Sequence, residues 1–188
     1  MTGAPQPKSG ARFRAPAVAR LTAARLAAVQ ALYQIEVAGG DVDDVVAQFG
    51  NRLFDRPAVT EAGTEAGMEA ASEAGFDFDP RFFGELVRGV TGRRDELDGL
   101  LLEALAADWP PERLQVILRC ILLVGACELV ARRNTPARVV IAEHVDLAHA
   151  FFAGAEPGMV NAVLDRLARR LRPGELGEGN GDGTAPAG

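Results

Sequence analysis

Arg25 and Glu128 are charged residues at positions where a helical winding places apolar faces. Wound at 100° per residue, as an α-helix requires, the segment around Arg25 carries Val18, Leu21, Ala28, Val29, Leu32 and Ile35 on one stripe, with Arg25 inside it. Glu128 falls between Ile117 and Ile121 in the most apolar sector of a later helix. A lone buried charge costs several kcal/mol, and a partner offsets most of that. An Arg25–Glu128 ion pair is therefore predicted, with a phosphate contact as the alternative role for Arg25. Catalytic groupings are poorer. His144 and His149 are five residues apart, roughly 140° around a helix, so they cannot chelate one metal together. His144 shares an apolar side with Val140, Leu147 and Phe151 and reads as a core histidine. Glu143 and Asp146 share a face, but no nucleophile or phosphate-binding glycine loop accompanies them. The glycines of 174–183 belong to a tail, and Cys127 has no evident His or Asn partner. No active site, cofactor or metal site is expected.

Binding chemistry is better represented. Lys8, Arg12, Arg14, Arg20 and Arg25 are the only charged residues of the first 35, whereas all 26 acidic residues follow, in a chain of net charge −6. A basic arm on an acidic body can hold phosphate locally while the body repels it. Arg20, Gln30 and Gln34 face away from the stripe of the first helix, and Tyr33 stands at its border. The last helix has a core stripe of Val160, Val163, Leu164, Leu167 and Leu171, with Met159 at its edge between Arg166 and Arg170. That edge suits a second phosphate-binding patch, or equally two arginines snorkelling at a helix C-terminus, where the dipole favours cations.

The elements that must position these residues are helical. The chain of 188 residues is 48% hydrophobic and poor in aromatics, which with its Ala and Leu content favours an all-α fold. Pro16–Ala38 is a first helix stopped by Gly39-Gly40, and Asp41 with Asp44 opens a second over Val42–Phe54. Four tetrads, TEAG, TEAG, MEAA and SEAG, run from Thr60 to Gly75. They are too polar and glycine-rich for a core and read as a disordered acidic loop within 55–78. Asp79-Pro80 opens a helix to Thr91, and another covers Arg93–Ala107. Pro110-Pro111 is expected to start the most hydrophobic helix, to about Arg132. Thr135-Pro136 caps the next, to Ala153, and Pro157 opens the last, to Leu171. Residues 1–15 read as a flexible basic arm, 16–172 as the helical domain and 173–188 as a disordered tail. Seven helices with short connections make a compact bundle.

Cys120 and Cys127 are seven apart on one predicted helix, about 10 Å and too far to bridge. Unpaired cysteines there point to a reducing compartment. The polar, Pro-rich start shows no signal peptide, and Val116–Cys127 is short and interrupted by Arg119. A cytoplasmic protein without a membrane span is expected.

Three segments, in order, carry a family resemblance. RLAAVQALYQ from Arg25 has the pattern Arg-x-x-Ala-x-Gln-x-Leu-Tyr, ILRCILLVGACEL from Ile117 looks like a central helix ending in Glu-Leu, and VVIAEHVDLAHAF from Val139 precedes GAEPGMVNAVLDR from Gly154. Together they resemble the NusB family of bacterial transcription antitermination factors. Met159 stands where the family usually has an aromatic, Ala162 replaces a Gly, Cys127 a Tyr and Ala142 a polar residue, and the basic cluster is spread out. The resemblance implies an all-α fold of two three-helix-bundle-like halves and a non-catalytic role. It implies recognition of boxA RNA in ribosomal RNA leader transcripts, together with ribosomal protein NusE, in a larger complex with NusA, NusG and RNA polymerase. The implied RNA contacts are Arg12, Arg14, Arg20, Arg25, Gln30, Tyr33, Met159, Asn161, Arg166 and Arg170. Relatives occur as monomers and as dimers, which leaves a homodimer open. NusB-like domains also resemble the N-terminal part of some ribosomal RNA cytosine methyltransferases. An accessory RNA-binding subunit of a modifying enzyme, or a protein scaffold, is therefore the alternative.

Overall fold

A computed structural model describes residues 16–54, 77–106, 109–110 and 113–176. Among them are seven α-helices and no strand: α1 Ala17–Ala38, α2 Val42–Phe54, α3 Pro80–Gly92, α4 Arg94–Ala104, α5 Val116–Ala131, α6 Ala137–Phe151 and α7 Glu156–Leu171. The arm, with Lys8, Arg12 and Arg14, the four tetrads and residues 177–188 lie outside the described residues. The first three helices pack on one another as one half, and α5, α6 and α7 as the other. α4 lies against both α5 and α7.

The most apolar helix is the hub. α5 contacts α1, α3, α4, α6 and α7, which is why every residue from Cys120 to Leu129 is buried. A helix surrounded in this way needs apolar residues all round rather than on one stripe. α1 and α7 each pack on it by the predicted stripes; only Val18, the second residue of α1, stands out as exposed.

Several helix ends follow from local chemistry. Asp41 Oδ1 accepts from the amides of Asp43 (2.8 Å) and Asp44 (3.2 Å). Asp79 Oδ1 accepts from the Phe82 amide at 2.9 Å, with Pro80 in the first turn. These side chains satisfy amides that have no partner inside the helix. Gly39 takes a positive φ of 73° after α1, a conformation a side chain resists.

Other expectations are corrected. Pro110-Pro111 does not start α5: Gln115 is extended (φ −59°, ψ 142°), so the helix begins at Val116. α4 stops at Ala104 because Leu105 is extended, and α6 stops at Phe151 because Phe152 is. Thr135-Pro136 supplies no side-chain cap to α6; the Glu175 carboxylate accepts from the Ala137 amide at 2.9 Å instead.

The loop and tail boundaries also move. Phe78, assigned to the loop, is buried with its ring 5.0 Å from that of Phe83. The first residues assigned to the tail fold back, and Leu176 is buried. Beside them Arg172, the last residue of the expected helical domain, is fully buried and donates to the carbonyls of Glu128 (3.0 Å), Leu129 (2.8 Å), Arg132 (2.9 Å) and Thr135 (2.7 Å). Carbonyls at a helix C-terminus lack intrahelical donors and carry the negative end of the dipole. Arg172 thus closes the end of α5 from more than 40 residues away.

Candidate RNA-binding face

The predicted ion pair forms and is larger than expected. Arg25 Nη2 and Nε meet Glu128 Oε1 and Oε2 at 2.6 and 2.9 Å, in the two-pronged geometry that suits guanidinium and carboxylate. Arg25 Nη1 also donates to Glu143 Oε2 at 3.1 Å, and that oxygen accepts from the Thr22 hydroxyl at 2.7 Å. One guanidinium therefore ties α1 to both α5 and α6. Arg25 is 3% exposed, so it is removed from the set facing RNA: its donors are directed inward and occupied.

His144 lies beside this junction, fully buried, with Nδ1 2.8 Å from the Val140 carbonyl. Burial pushes its imidazole down from the usual range. Burial likewise pushes the Cys120 thiol up to about 12 and the Cys127 thiol up to about 11, which leaves both as inert free thiols. No grouping of three or more metal-ligating side chains occurs among the described residues.

The remaining candidates separate. On α1, Gln30 and Tyr33 are exposed, Tyr33 at 43%, one helical turn apart and open to a ligand. Gln34 is engaged with Gln48 at 3.0 Å. Arg20 Nε meets Asp77 Oδ1 at 3.1 Å and its Nη2 donates to the Phe78 carbonyl at 3.2 Å. It anchors the start of α1 to the segment entering α3 and is only 14% exposed.

On α7, Asn161 is exposed on a groove of about 440 Å³ shared with α6, floored by Ile141 and Val145. Met159 does not sit on an open edge. It is 8% exposed and lines a cleft of about 180 Å³ with Trp109, Ala104 and Arg166, since α4 and the chain after it cover the start of α7. The RNA contact that the resemblance implies at Met159 is therefore closed off by α4 and the chain after it. Arg166 donates to the Ala104 carbonyl, and Arg170 pairs with Glu103, so both clasp the C-terminal end of α4. Their guanidiniums remain at the surface but are engaged.

The sequence reading overlooked Thr22 and Glu143 at the junction, and Arg172. Glu143 had a signal: it lies one position from the core residue His144, on the α6 face that meets α1. Among the described residues no helix is long and apolar enough to cross a membrane.

Comparison with known proteins agrees with this arrangement. A transcription antitermination protein NusB from Nitrobacter winogradskyi is 44% identical over 166 residues, covering 85% of this chain and 92% of that protein. The protein of the same name from Rhodospirillum rubrum is 43% identical over 180 residues, covering 94% of each chain. The solved structure of T. maritima NusB superposes with a TM-score of 0.59 at 22% identity, covering 84% of this chain and 93% of that one. A chain from a structure titled a plectonemic RNA supercoil superposes with a TM-score of 0.56 at 20% identity, covering 79% and 94%. These two share the all-α fold. Residues 22–169 match the sequence profile of the NusB family, and with curated relatives at this identity over most of the chain, the chain belongs to the NusB family.

Proposed function

We propose that this protein is an RNA-binding transcription antitermination factor that recognises boxA-type single-stranded RNA of ribosomal RNA leader transcripts together with ribosomal protein NusE. The observation that carries this reading is 43% identity over 94% of the chain to a protein named for transcription antitermination. Its residues support a non-catalytic binding role. Single-stranded RNA is read by stacking and by hydrogen bonds to base edges, while cations hold phosphates. Tyr33 offers an exposed ring, Gln30 and Asn161 offer exposed amides, and Arg12 and Arg14 in the arm offer phosphate contacts. With Arg25 and Met159 turned inward, phosphate binding relies on the arm and on surface arginines. The RNA–NusE assembly would join NusA, NusG and RNA polymerase in the cytoplasm.

The test is fluorescence anisotropy of a labelled boxA RNA, with and without NusE, beside a scrambled RNA. Selective binding that tightens with NusE is expected. Tyr33→Ala is expected to lose about 5-fold or more, since stacking contributes about 1–3 kcal/mol per base. No selectivity even with NusE would overturn the reading and leave a protein scaffold.

A further inference from the structure

The groove between α6 and α7 carries an unpaired charge toward each end, and the two are opposite in sign. These helices run antiparallel, joined by residues 152–155 alone, and enclose about 440 Å³. Ile141, Ala142 and Val145 of α6, with Leu176, line its apolar middle. Arg138 stands at one end, exposed, with Nη2 donating to the Leu176 carbonyl at 3.1 Å and no ion pair among the described residues. Glu175, next to Leu176 in the chain, is already engaged by the Ala137 amide and by Arg172. Asp146 stands toward the other end, exposed, with neither a side-chain hydrogen bond nor an ion pair among the described residues. Eight helical residues, about 12 Å, separate Arg138 from Asp146, so they cannot meet within one chain. α7 adds no net charge to the groove, because Asp165 and Arg169 pair with each other at 2.8 Å.

We infer that this groove docks a second copy of the chain, forming a two-fold dimer in which the two α6 helices lie antiparallel across the contact. A two-fold interface brings the same surface of both copies together, so that surface must be complementary to itself. A two-fold axis crossing α6 at right angles near Ala142, midway between the two charges, reverses their order in the copy. Each Arg138 then faces the partner's Asp146, and the apolar middles meet at the axis. An acidic partner would meet Arg138 and leave Asp146 opposed, and a basic partner the reverse. A second copy satisfies both ends at once, and the balanced charge of the groove offers it no net repulsion.

The test is sedimentation equilibrium of the full-length protein over a range of concentration and salt. A monomer–dimer equilibrium that weakens as salt rises is expected, since exposed ion pairs are screened. Arg138→Glu and Asp146→Arg each set like charges against one another at both ends of the dimer. Either should weaken association roughly 10-fold or more. Mixing the two variants restores an attraction at each end, so the equimolar mixture should associate about as tightly as the unmodified protein. Recovery on mixing separates a contact between copies from damage to the fold, which mixing cannot repair. Asp146→Arg keeps the test decisive even where Arg138→Glu loosens the Leu176 segment, because Asp146 bonds to nothing else in the fold. A chain that stays monomeric at every concentration, a dimer indifferent to Asp146→Arg, or a mixture no tighter than its components would each overturn the inference.

Discussion

Arg25 and Arg172 lie in the same core, and their charges are met in opposite ways. Arg25 faces two carboxylates, Glu128 and Glu143, and links three helices through side chains alone. Arg172 faces four main-chain carbonyls at the α5–α6 turn, with the Glu175 carboxylate 3.4 Å away. The two converge on one residue: Glu128 receives Arg25 through its side chain and Arg172 through its carbonyl. At the first site charge is neutralised by charge. At the second, a cation is stabilised by the aligned dipoles of a helix end. The first arrangement can be replaced as a unit by apolar side chains, and the second cannot, because its acceptors belong to the backbone.

Substitution separates the two most sharply at Arg25. Arg25→Met leaves Glu128, 0% exposed, without a cation, and is expected to cost about 3–5 kcal/mol in urea denaturation. Adding Glu128→Leu should recover most of that loss, since a well-packed apolar pair often matches a buried ion pair. If the double variant is as unstable as the sum of the singles, the side-chain pair is not the energetic unit. Arg172→Met is expected to cost less, about 2–3 kcal/mol, from lost charge-assisted hydrogen bonds. Combining it with Glu128→Leu should give no recovery. Hydrogen exchange should then speed up at the amides of the α5–α6 turn; unchanged protection there would show that Arg172 does not hold the turn.

The same contrast explains what could be read in advance. Arg25 and Glu128 each interrupt an apolar stripe whose period is visible in the chain, so their meeting followed from the cost of burying either alone. Five of the seven helix starts were marked by an aspartate or a proline beside them, which is a local signal, and α4 follows directly on Gly92 with no side-chain cap. The remaining marker, Pro110-Pro111, failed because two prolines are also compatible with extended chain, and Gln115 is extended. Arg172 gave no periodic signal: it follows the last stripe residue, Leu171, beside Pro173-Gly174, and its partners are carbonyls that any sequence supplies. Met159 was misplaced for a related reason. A helical wheel orders the residues of α7 but cannot show that Ala104 and Trp109 cover its first turn. Gln30 was placed outward, and it is exposed together with Tyr33 of the stripe's border because no described element packs over that face of α1.

His144 is a third solution to burying a polar side chain, and the smallest expected effect belongs to it. Its Nδ1 meets the Val140 carbonyl, while Nε2 has no hydrogen-bond partner among the described residues. Here the charge is avoided rather than met. Burial lowers the imidazole pKa most; Glu128, the Val140 carbonyl and Glu143 work against that, and Arg25 with it. The unfolded chain therefore takes up a proton at His144 below about pH 6.5 that the folded chain refuses. Stability must fall as the pH drops through that value, by up to about 1.4 kcal/mol per pH unit. His144→Leu removes this contribution, and the carboxylates common to both proteins cancel in the comparison. The stability gap between the two should shift by about 1 kcal/mol in favour of the variant between pH 7 and pH 5.5. A gap independent of pH would mean that His144 takes up its proton as readily in the fold as in the unfolded chain, and that Glu128 is shared between two cations once it does. The Arg25 junction would then be an ion network of both, and Arg25→Met would cost less than a stranded carboxylate demands.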